Sequence, residues 1–177
     1  MNRVQLEHII RAAADIASDD EIVVIGSQSV LGQFPDAPPE LLVSTEADLY
    51  PRNHPERSDL IDGSIGEGSP FHETFGYYAQ GVSPGTAVLP EGWERRLVPV
   101  KNENTRGATG WCLEIHDLLL SKAAAGRERD IEFLRIAARK GIADERVLLE
   151  RVPYLDIPAD AKELIAARVR RAFGPDR

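Results

Sequence analysis

The sequence contains a single cysteine, Cys112, among its 177 residues. One cysteine excludes an internal disulfide and any metal site that needs several thiolate ligands. The histidines are also few, and His54, His72 and His116 lack the spacing of zinc ligands. Carboxylates, small residues and basic side chains are therefore the candidates for a functional site.

Long apolar runs are missing as well. No stretch approaches the ~20 apolar residues that a membrane-spanning helix requires. The stretch from Met1 to Ile16 also lacks the continuous apolar segment of a signal peptide. We expect a soluble cytoplasmic protein with no membrane association.

Basic residues are outnumbered, with 21 Lys and Arg against 29 Asp and Glu and a formal net charge of −8. Proteins that coat nucleic acid use clustered basic side chains to bind phosphate, so this balance argues against an extended nucleic-acid interface. Spacing gives no Walker A loop, dinucleotide-binding fingerprint or Ser/His/Asp triad either. Local basic groups can still bind a single nucleotide.

Apolar periodicity predicts mixed helices and strands over the first two thirds of the chain. The spacing of Leu6, Ile9, Ile10 and Ala13 indicates a first helix over 4–17. Strands are predicted at 21–25, 46–50, 71–78, 95–100 and 111–115, with a short helix through Val30 and Leu31 and another helix over 55–65.

The final third has helical spacing throughout, with predicted helices at 117–125, 130–140, 144–152 and 159–173. The expected fold is α+β, or α/β with a mixed sheet of four or five strands, bearing an N-terminal helix and a C-terminal helical tail. We predict two parts: an α/β core over 1–115 and a helical part over 116–177 that packs on it.

Glu46 and Asp48 are the most informative residues. Alternate residues of a strand point to one face, so these two carboxylates lie about 6 to 7 Å apart at the backbone and can share divalent cations. Mg²⁺ prefers oxygen ligands and is often held by one or two carboxylates together with substrate phosphates. The alternative is that both carboxylates face water on an edge strand.

Gly26 and Ser27 follow the apolar strand at 21–25. A glycine at such a turn lets backbone N–H groups approach phosphate oxygens without a Cβ between them. The same glycine is equally compatible with nothing more than a tight turn.

A basic segment follows on the alanine-rich helix near residue 122. Lys122 either extends to solvent or points into a cleft, and Arg127 can bind phosphate or pair with Asp130 three residues on. Tyr77, Tyr78, Phe75 and Trp93 either stack on a base or belong to the core.

The sequence resembles the nucleotidyltransferase superfamily, in which a Gly–Ser turn precedes a strand with two acidic residues one position apart. It is most similar to DUF6036, a group of bacterial nucleotidyltransferase-like proteins related to the toxins of abortive-infection toxin–antitoxin pairs. The likeness runs from about Glu21 to Gly141. It rests on Ile25-Gly26-Ser27, Thr45-Glu46-Ala47-Asp48, Gly92-Trp93-Glu94-Arg95-Arg96-Leu97-Val98 and the segments from His116-Asp117-Leu118 and Ser121-Lys122 to Asp130.

The resemblance implies a nucleotidyltransferase core that binds Mg²⁺ and a nucleoside triphosphate. It assigns Glu46 and Asp48 as metal ligands, Gly26 and Ser27 to the phosphates, and Lys122 and Asp130 as completing the site. The sequence departs from the superfamily in two ways. It has Glu46 where aspartate is usual, and the segment between Ser27 and Glu46 is longer than is typical. The usual third carboxylate is not evident, although Glu73 and Glu114 are candidates.

The leading hypothesis is a Mg²⁺-dependent transfer of a nucleoside monophosphate from a triphosphate to a hydroxyl of a protein, an RNA or a small molecule. In this reading Lys122 and Arg127 offset the leaving-group charge. The alternative is a degenerate nucleotidyltransferase fold that binds nucleotides or regulates a partner, such as an antitoxin. A metal-dependent nuclease fits the acidic pair but not the overall charge.

Overall fold

A computed structural model describes residues 1–174. Within this range the chain forms eight α-helices and a five-stranded mixed sheet, so the predicted α+β class with an N-terminal helix and a helical tail is confirmed. The helices are α1 Arg3–Ala17, α2 Val30–Gln33, α3 Ser58–Ile65, α4 Pro70–Phe75, α5 Ile115–Ala125, α6 Glu128–Arg139, α7 Glu145–Arg151 and α8 Ala159–Phe173. The strands are β1 Glu21–Val24, β2 Glu46–Pro51, β3 Tyr78–Gly81, β4 Val98–Val100 and β5 Thr109–Cys112.

The chain divides into two compact units. The first unit comprises Met1–Thr86 and Leu97–Glu114 and holds the whole sheet with α1 to α4. The second unit comprises Ala87–Arg96 and the chain from Ile115 onward, and it holds α5 to α8. None of the helices found within residues 1–174 has the length and apolar content needed to cross a membrane.

The sheet has the strand order β3-β2-β1-β5-β4. Strand β1 pairs antiparallel with β2 and parallel with β5, whereas β3 runs parallel to β2 and β4 runs antiparallel to β5. Ile22, Val23 and Val24 are all buried, as expected for a central strand that is apolar on both faces. The register places Val24 opposite Leu49, so the end of β1 lies beside the middle of β2.

Helix α1 packs on the sheet through its apolar stripe, which includes the fully buried Leu6, Ile9 and Ile10. The helix begins with a capping box between Asn2 and Gln5, which satisfies two backbone N–H groups of its first turn. The close approach of α1 to β5 depends on Gly110 in β5, because a Cβ at this position would overlap the side chain of Ile10 in α1. The predicted periodicity of this helix is therefore the pattern of its buried face.

Asp19 fixes the strand β2 beside β1 from the loops at their ends. Its buried carboxylate accepts hydrogen bonds from the backbone N–H groups of Glu21, Asn53 and His54, at 3.0, 2.7 and 3.2 Å. Burial alone would raise the pKa of Asp19, but these hydrogen bonds outweigh it and the pKa lies below its ordinary value. The ionised side chain thus joins the start of β1 to the loop that follows β2.

The predicted strand over 71–78 is wrong for most of its length. Residues Pro70–Phe75 form α4 and only Tyr78 belongs to a strand. Ser69 caps the helix by accepting a hydrogen bond from the His72 N–H group, and Gly76 ends it in the left-handed conformation with φ of 74°. These capping signals outweigh the strand propensity of the aromatic residues between them.

The predicted strands at 95–100 and 111–115 are each shifted. Residues Trp93–Arg96 form a 3₁₀ turn, and the strand begins only at Val98. Strand β5 starts earlier than predicted, at Thr109, and ends at Cys112, while Ile115 already begins α5. Apolar runs alone do not separate a buried strand from the buried first turn of a helix.

Gly32 on α2 provides a test of how closely α2 packs on β5. A Cβ at Gly32 would overlap the Cβ of Cys112, which is fully buried and has little room to move. We expect Gly32→Ala to lower the free energy of unfolding by about 1 to 3 kcal/mol, as is typical of overpacking. Urea denaturation followed by circular dichroism measures this change.

Gly63→Ala is the matched control, because a Cβ at Gly63 in α3 meets no atom within 4 Å. Alanine favours helix over glycine, so this variant is expected to be as stable as the wild type or slightly more stable. Equal destabilisation by the two substitutions would contradict the close packing of α2 on β5.

Candidate functional site

Glu46 and Asp48 project from the same face of β2. Both are partly exposed, whereas the intervening Ala47 and the following Leu49 are fully buried on the opposite face. This alternation is the pattern of a strand with one face against the core. The first unit therefore presents two carboxylates side by side along one strand.

Gly26 lies directly against the second of these carboxylates. The Ile25 N–H group donates a 3.0 Å hydrogen bond to the Asp48 carbonyl, and a Cβ on Gly26 would overlap the Asp48 carboxylate. The space left by the missing side chain is thus occupied by Asp48. Glycine at position 26 brings the turn and the carboxylate together, and the next residue, Ser27, begins a 3₁₀ turn with its side chain partly exposed.

Tyr78 joins this group through the parallel pairing of β2 and β3, in which it lies opposite Glu46. Its hydroxyl donates a 3.4 Å hydrogen bond to Glu46 Oε2, and its ring lies 4.6 Å from that of His72, centroid to centroid. Burial raises the pKa of Tyr78, and the negative charges of Glu46 and Glu67 raise it further. The phenol is therefore held protonated beside a carboxylate.

The other aromatic candidates lie elsewhere. Tyr77 accepts or donates a 2.8 Å hydrogen bond with His8 Nδ1 and packs with Phe71 and Phe75 in a separate cluster of rings. Trp93 belongs to the second unit. Tyr77 precedes β3 and is buried among these rings, whereas Tyr78 is the first residue of β3 and lies opposite Glu46.

Gln28 also belongs to this turn, although no sequence motif marks it. It is fully buried within the turn after Gly26, and its Nε2 group donates a 3.2 Å hydrogen bond to the Ser44 carbonyl. Its Oε1 atom is buried and accepts no hydrogen bond from any residue in the range 1–174. A buried acceptor of this kind normally has a protein or water partner.

Glu46 and Asp48 belong to no preformed metal cage among residues 1–174. Within residues 1–174, no group of three or more His, Cys, Asp or Glu side chains is arranged to hold a metal ion. Glu73 lies exposed on α4, and Glu114 lies between β5 and α5. Two carboxylates on one face fit a Mg²⁺ ion that takes its remaining ligands from phosphate and water, and do not fit an all-protein cage.

The basic candidates of the second unit gather around Asp130. This carboxylate is 1% exposed and pairs with Arg127 at 2.6 Å and with Lys122 at 3.3 Å. Burial would raise its pKa, but the hydrogen bond from Arg127 and the positive charge of Lys122 outweigh burial, so the pKa of Asp130 is lowered. The local Arg127–Asp130 pair, one of the two readings of the sequence, is thus present, and Asp130 also holds Lys122.

A second buried carboxylate connects other segments of the same unit. Asp117 accepts hydrogen bonds from Arg96 at 2.8 and 3.2 Å and from Arg151 at 2.8 Å. This contact joins two of the sequence blocks that carry the resemblance, because Arg96 ends the 3₁₀ turn and Asp117 lies in the first turn of α5. Asp117 is therefore a structural carboxylate.

Residues 4–152 match the model of a family described as a nucleotidyltransferase of unknown function, DUF6036. The chain belongs to this family. Neither the curated proteins nor the solved structures gave a significant match. Every residue that the sequence selected as a candidate for the site falls within the matched range.

Membership of DUF6036 indicates nucleotidyltransferase function at the level of the family. The family description names no substrate, metal or partner. The specific roles of Gly26, Ser27, Glu46 and Asp48, and of Lys122, Arg127 and Asp130, accordingly stay predictions.

Asp130 yields a prediction about pH and stability. Because its pKa is lowered by folding, its ionised form stabilises the protein above the unfolded pKa of about 3.9, and this contribution is lost as the pH falls through the folded pKa. We expect Asp130→Asn to lower the free energy of unfolding at pH 7 by on the order of 3 kcal/mol, since it leaves two cations without their buried partner. Urea denaturation between pH 7 and pH 3 measures this loss. The difference in free energy of unfolding between the wild type and Asp130→Asn should decrease as the pH falls toward 3.

Glu132→Gln serves as the control, because Glu132 is exposed and its pairs with Arg135 and Arg139 lie on the surface of α6. Surface pairs contribute about 0 to 1 kcal/mol, so this variant should stay close to the wild type at every pH. A loss in Asp130→Asn that is small, or that does not depend on pH, would contradict the role assigned to the buried carboxylate.

Proposed function

We propose that this DUF6036 protein transfers a nucleoside monophosphate from a nucleoside triphosphate to a hydroxyl group, with Mg²⁺ as cofactor. The acceptor is a protein, an RNA or a small molecule. The new bond forms between the acceptor oxygen and the α-phosphorus while the α–β anhydride breaks and pyrophosphate leaves. The observation that carries the proposal is the packing of the Asp48 carboxylate against Gly26, with Glu46 on the same face of β2.

The negative charges of Glu46 and Asp48 are the reason for proposing a bound cation. Two carboxylates repel a triphosphate unless a cation lies between them, and Asp48 pairs with no basic side chain among residues 1–174. Glu46 and Asp48 would hold the ion. When bound, Mg²⁺ would neutralise phosphate charge that otherwise increases during transfer.

The turn at Gly26 and Ser27 would contact the phosphates through Ser27 and the backbone. Since Asp48 fills the space beside Gly26, the glycine serves to seat the carboxylate, and the partly exposed Ser27 hydroxyl is the donor available next to it. The turn would hold the triphosphate close to the metal ligands. Such positioning, together with electrostatic stabilisation, supplies most of the catalysis of phosphoryl transfer.

The resemblance adds Lys122 and Asp130 as residues that complete the site, and the basic character of the segment adds Arg127 beside Lys122 as a second residue that would bind phosphate. The ion pairs of Asp130 support a positioning role for this carboxylate, because it restrains the charged ends of both basic side chains. A toxin–antitoxin context, with an antitoxin as partner, is proposed on the resemblance alone.

A second candidate function is a nucleotide-binding or regulatory module without turnover. It is favoured by one observation, namely that no third acidic side chain joins Glu46 and Asp48 in a metal-binding group within residues 1–174. Members of a fold that have lost a metal ligand can still bind nucleotides. Binding and turnover therefore have to be measured separately.

The decisive measurement uses γ-³²P-labelled ATP, GTP, CTP and UTP, whose label leaves with the pyrophosphate, with wild-type protein, Asp48→Asn and Glu46→Gln, with and without Mg²⁺. We expect Mg²⁺-dependent release of pyrophosphate by the wild type and a loss of at least a hundredfold in Asp48→Asn, since the substitution removes the negative charge of a metal ligand with little change of shape. Calorimetry with non-hydrolysable analogues measures triphosphate binding in the same proteins.

Asp59→Asn is the control, because it removes one exposed carboxylate of α3 and leaves the net charge equal to that of Asp48→Asn. Its activity should match the wild type. Mg²⁺-dependent binding without pyrophosphate release would support the binding module instead. Equal binding and activity in Asp48→Asn and the wild type would overturn both roles of the site.

A further inference from the structure

The second unit contains a groove that the nucleotidyltransferase proposal does not use. It has a volume of about 560 Å³ and lies between segments 90–94 and 153–156. Trp93 and Tyr154 line it together with the acidic residues Glu91, Glu94 and Asp156. The block from Gly92 to Glu94, which contributes to the family resemblance, thus forms one side of this groove.

The two sides of the groove are joined by backbone hydrogen bonds. The Glu91 N–H group donates to the Tyr154 carbonyl at 2.9 Å, and Pro90 and Leu155 form an isolated antiparallel bridge. Arg96 donates from the same side to the carbonyl of Glu91 at 3.2 Å, while its guanidinium is fixed by the buried Asp117. The groove is therefore preformed, which lowers the entropic penalty of binding.

The acidic residues of the groove outnumber the cations beside it, because Lys162 donates a 2.8 Å hydrogen bond to the Pro153 carbonyl and Arg96 is already paired with the buried Asp117. Glu91, Glu94 and Asp156 are exposed, and none of them forms an ion pair with any residue of the range 1–174. No Lys, Arg or His is among the described residues that line the groove. Its electrostatics hence select for a cationic ligand.

The aromatic side chains add a preference for a cation with an apolar stem. Tyr154 is 60% exposed and so contributes little to the core, and it lines the same groove as the half-buried Trp93. Indole and phenol rings attract ammonium and guanidinium groups and also pack against methylene chains. Lysine and arginine side chains carry both features.

We propose that this groove binds a basic segment of a partner protein, with lysine or arginine side chains placed between the acidic and aromatic residues. The exposed Val88 next to this region extends the apolar surface beyond what a small amine would cover. Tyrosine and tryptophan are enriched at protein interfaces, and charge complementarity sets the choice of partner. This inference goes beyond nucleotidyl transfer and does not rest on it.

The test uses the ¹⁵N-labelled chain and a nonapeptide that alternates lysine with leucine, followed by two-dimensional NMR of the indole N–H groups. The chain has two tryptophans, so Trp93 reports on the groove and Trp111, whose indole donates to Glu21 in the first unit, is an internal reference. Trp93→Phe assigns the signals. We expect a saturable shift of the Trp93 signal and an unchanged Trp111 signal.

Two triple variants separate the groove from diffuse charge. Glu91→Gln/Glu94→Gln/Asp156→Asn should weaken peptide binding at least tenfold in physiological salt. Glu128→Gln/Glu150→Gln/Glu163→Gln changes the net charge equally at exposed positions outside the groove, and it should bind within twofold of the wild type. All of these substitutions are at exposed positions, and circular dichroism checks that both variants are folded.

Several outcomes would overturn the proposal. Equal weakening in the two triple variants would mean that binding is diffuse attraction to an acidic protein. A Trp93 signal that does not shift at millimolar peptide would remove the groove as a binding site. If spermidine binds as tightly as the peptide, the groove is a site for a small polyamine. If a peptide with glutamate in place of lysine binds as tightly as the lysine peptide, charge has no role in binding.

Discussion

The contact between Gly26 and Asp48 is the constraint on which the candidate site depends. Strand β1 ends beside β2, the Ile25 N–H group bonds to the Asp48 carbonyl, and the chain turns at a residue without a Cβ where the carboxylate needs that space. The antiparallel register of Val24 with Leu49 brings the turn to this point. Any shift of the register by one residue would move Glu46 and Asp48 to the opposite face.

Carboxylates in this acidic chain have two distinct roles. Asp19, Glu7, Asp117 and Asp130 are buried and accept hydrogen bonds that join loops, helices or both. Glu46 and Asp48 are partly exposed and lie along one strand face, and three exposed acids surround the groove of the second unit. The buried group supports the fold because each charge is compensated, whereas the accessible acids favour cations supplied by a ligand.

The pattern of apolar residues was sufficient to predict an element where the helical period continues over many residues. The helical spacing at 159–173 coincides with α8, and the helix predicted at 4–17 coincides with α1 to within one residue. It failed between Ser69 and Gly76, where aromatic residues favour a strand but a Ser cap, a proline in the first turn and a left-handed glycine define a helix. Tyr78 was therefore predicted at the end of a strand, whereas it begins β3 and lies opposite Glu46 on β2.

The sequence by itself determined the fold class and the placing of Glu46 and Asp48 on one strand face, because strand alternation and helical periodicity are local properties of the chain. Its motifs identified the family. Only the tertiary structure decided what surrounds these residues. Gly26 meets Asp48, Tyr78 reaches Glu46 and Asp130 holds Lys122 through contacts between separate elements. The groove likewise joins segments about 60 residues apart, and such contacts depend on strand register and helix packing, which a single sequence does not specify.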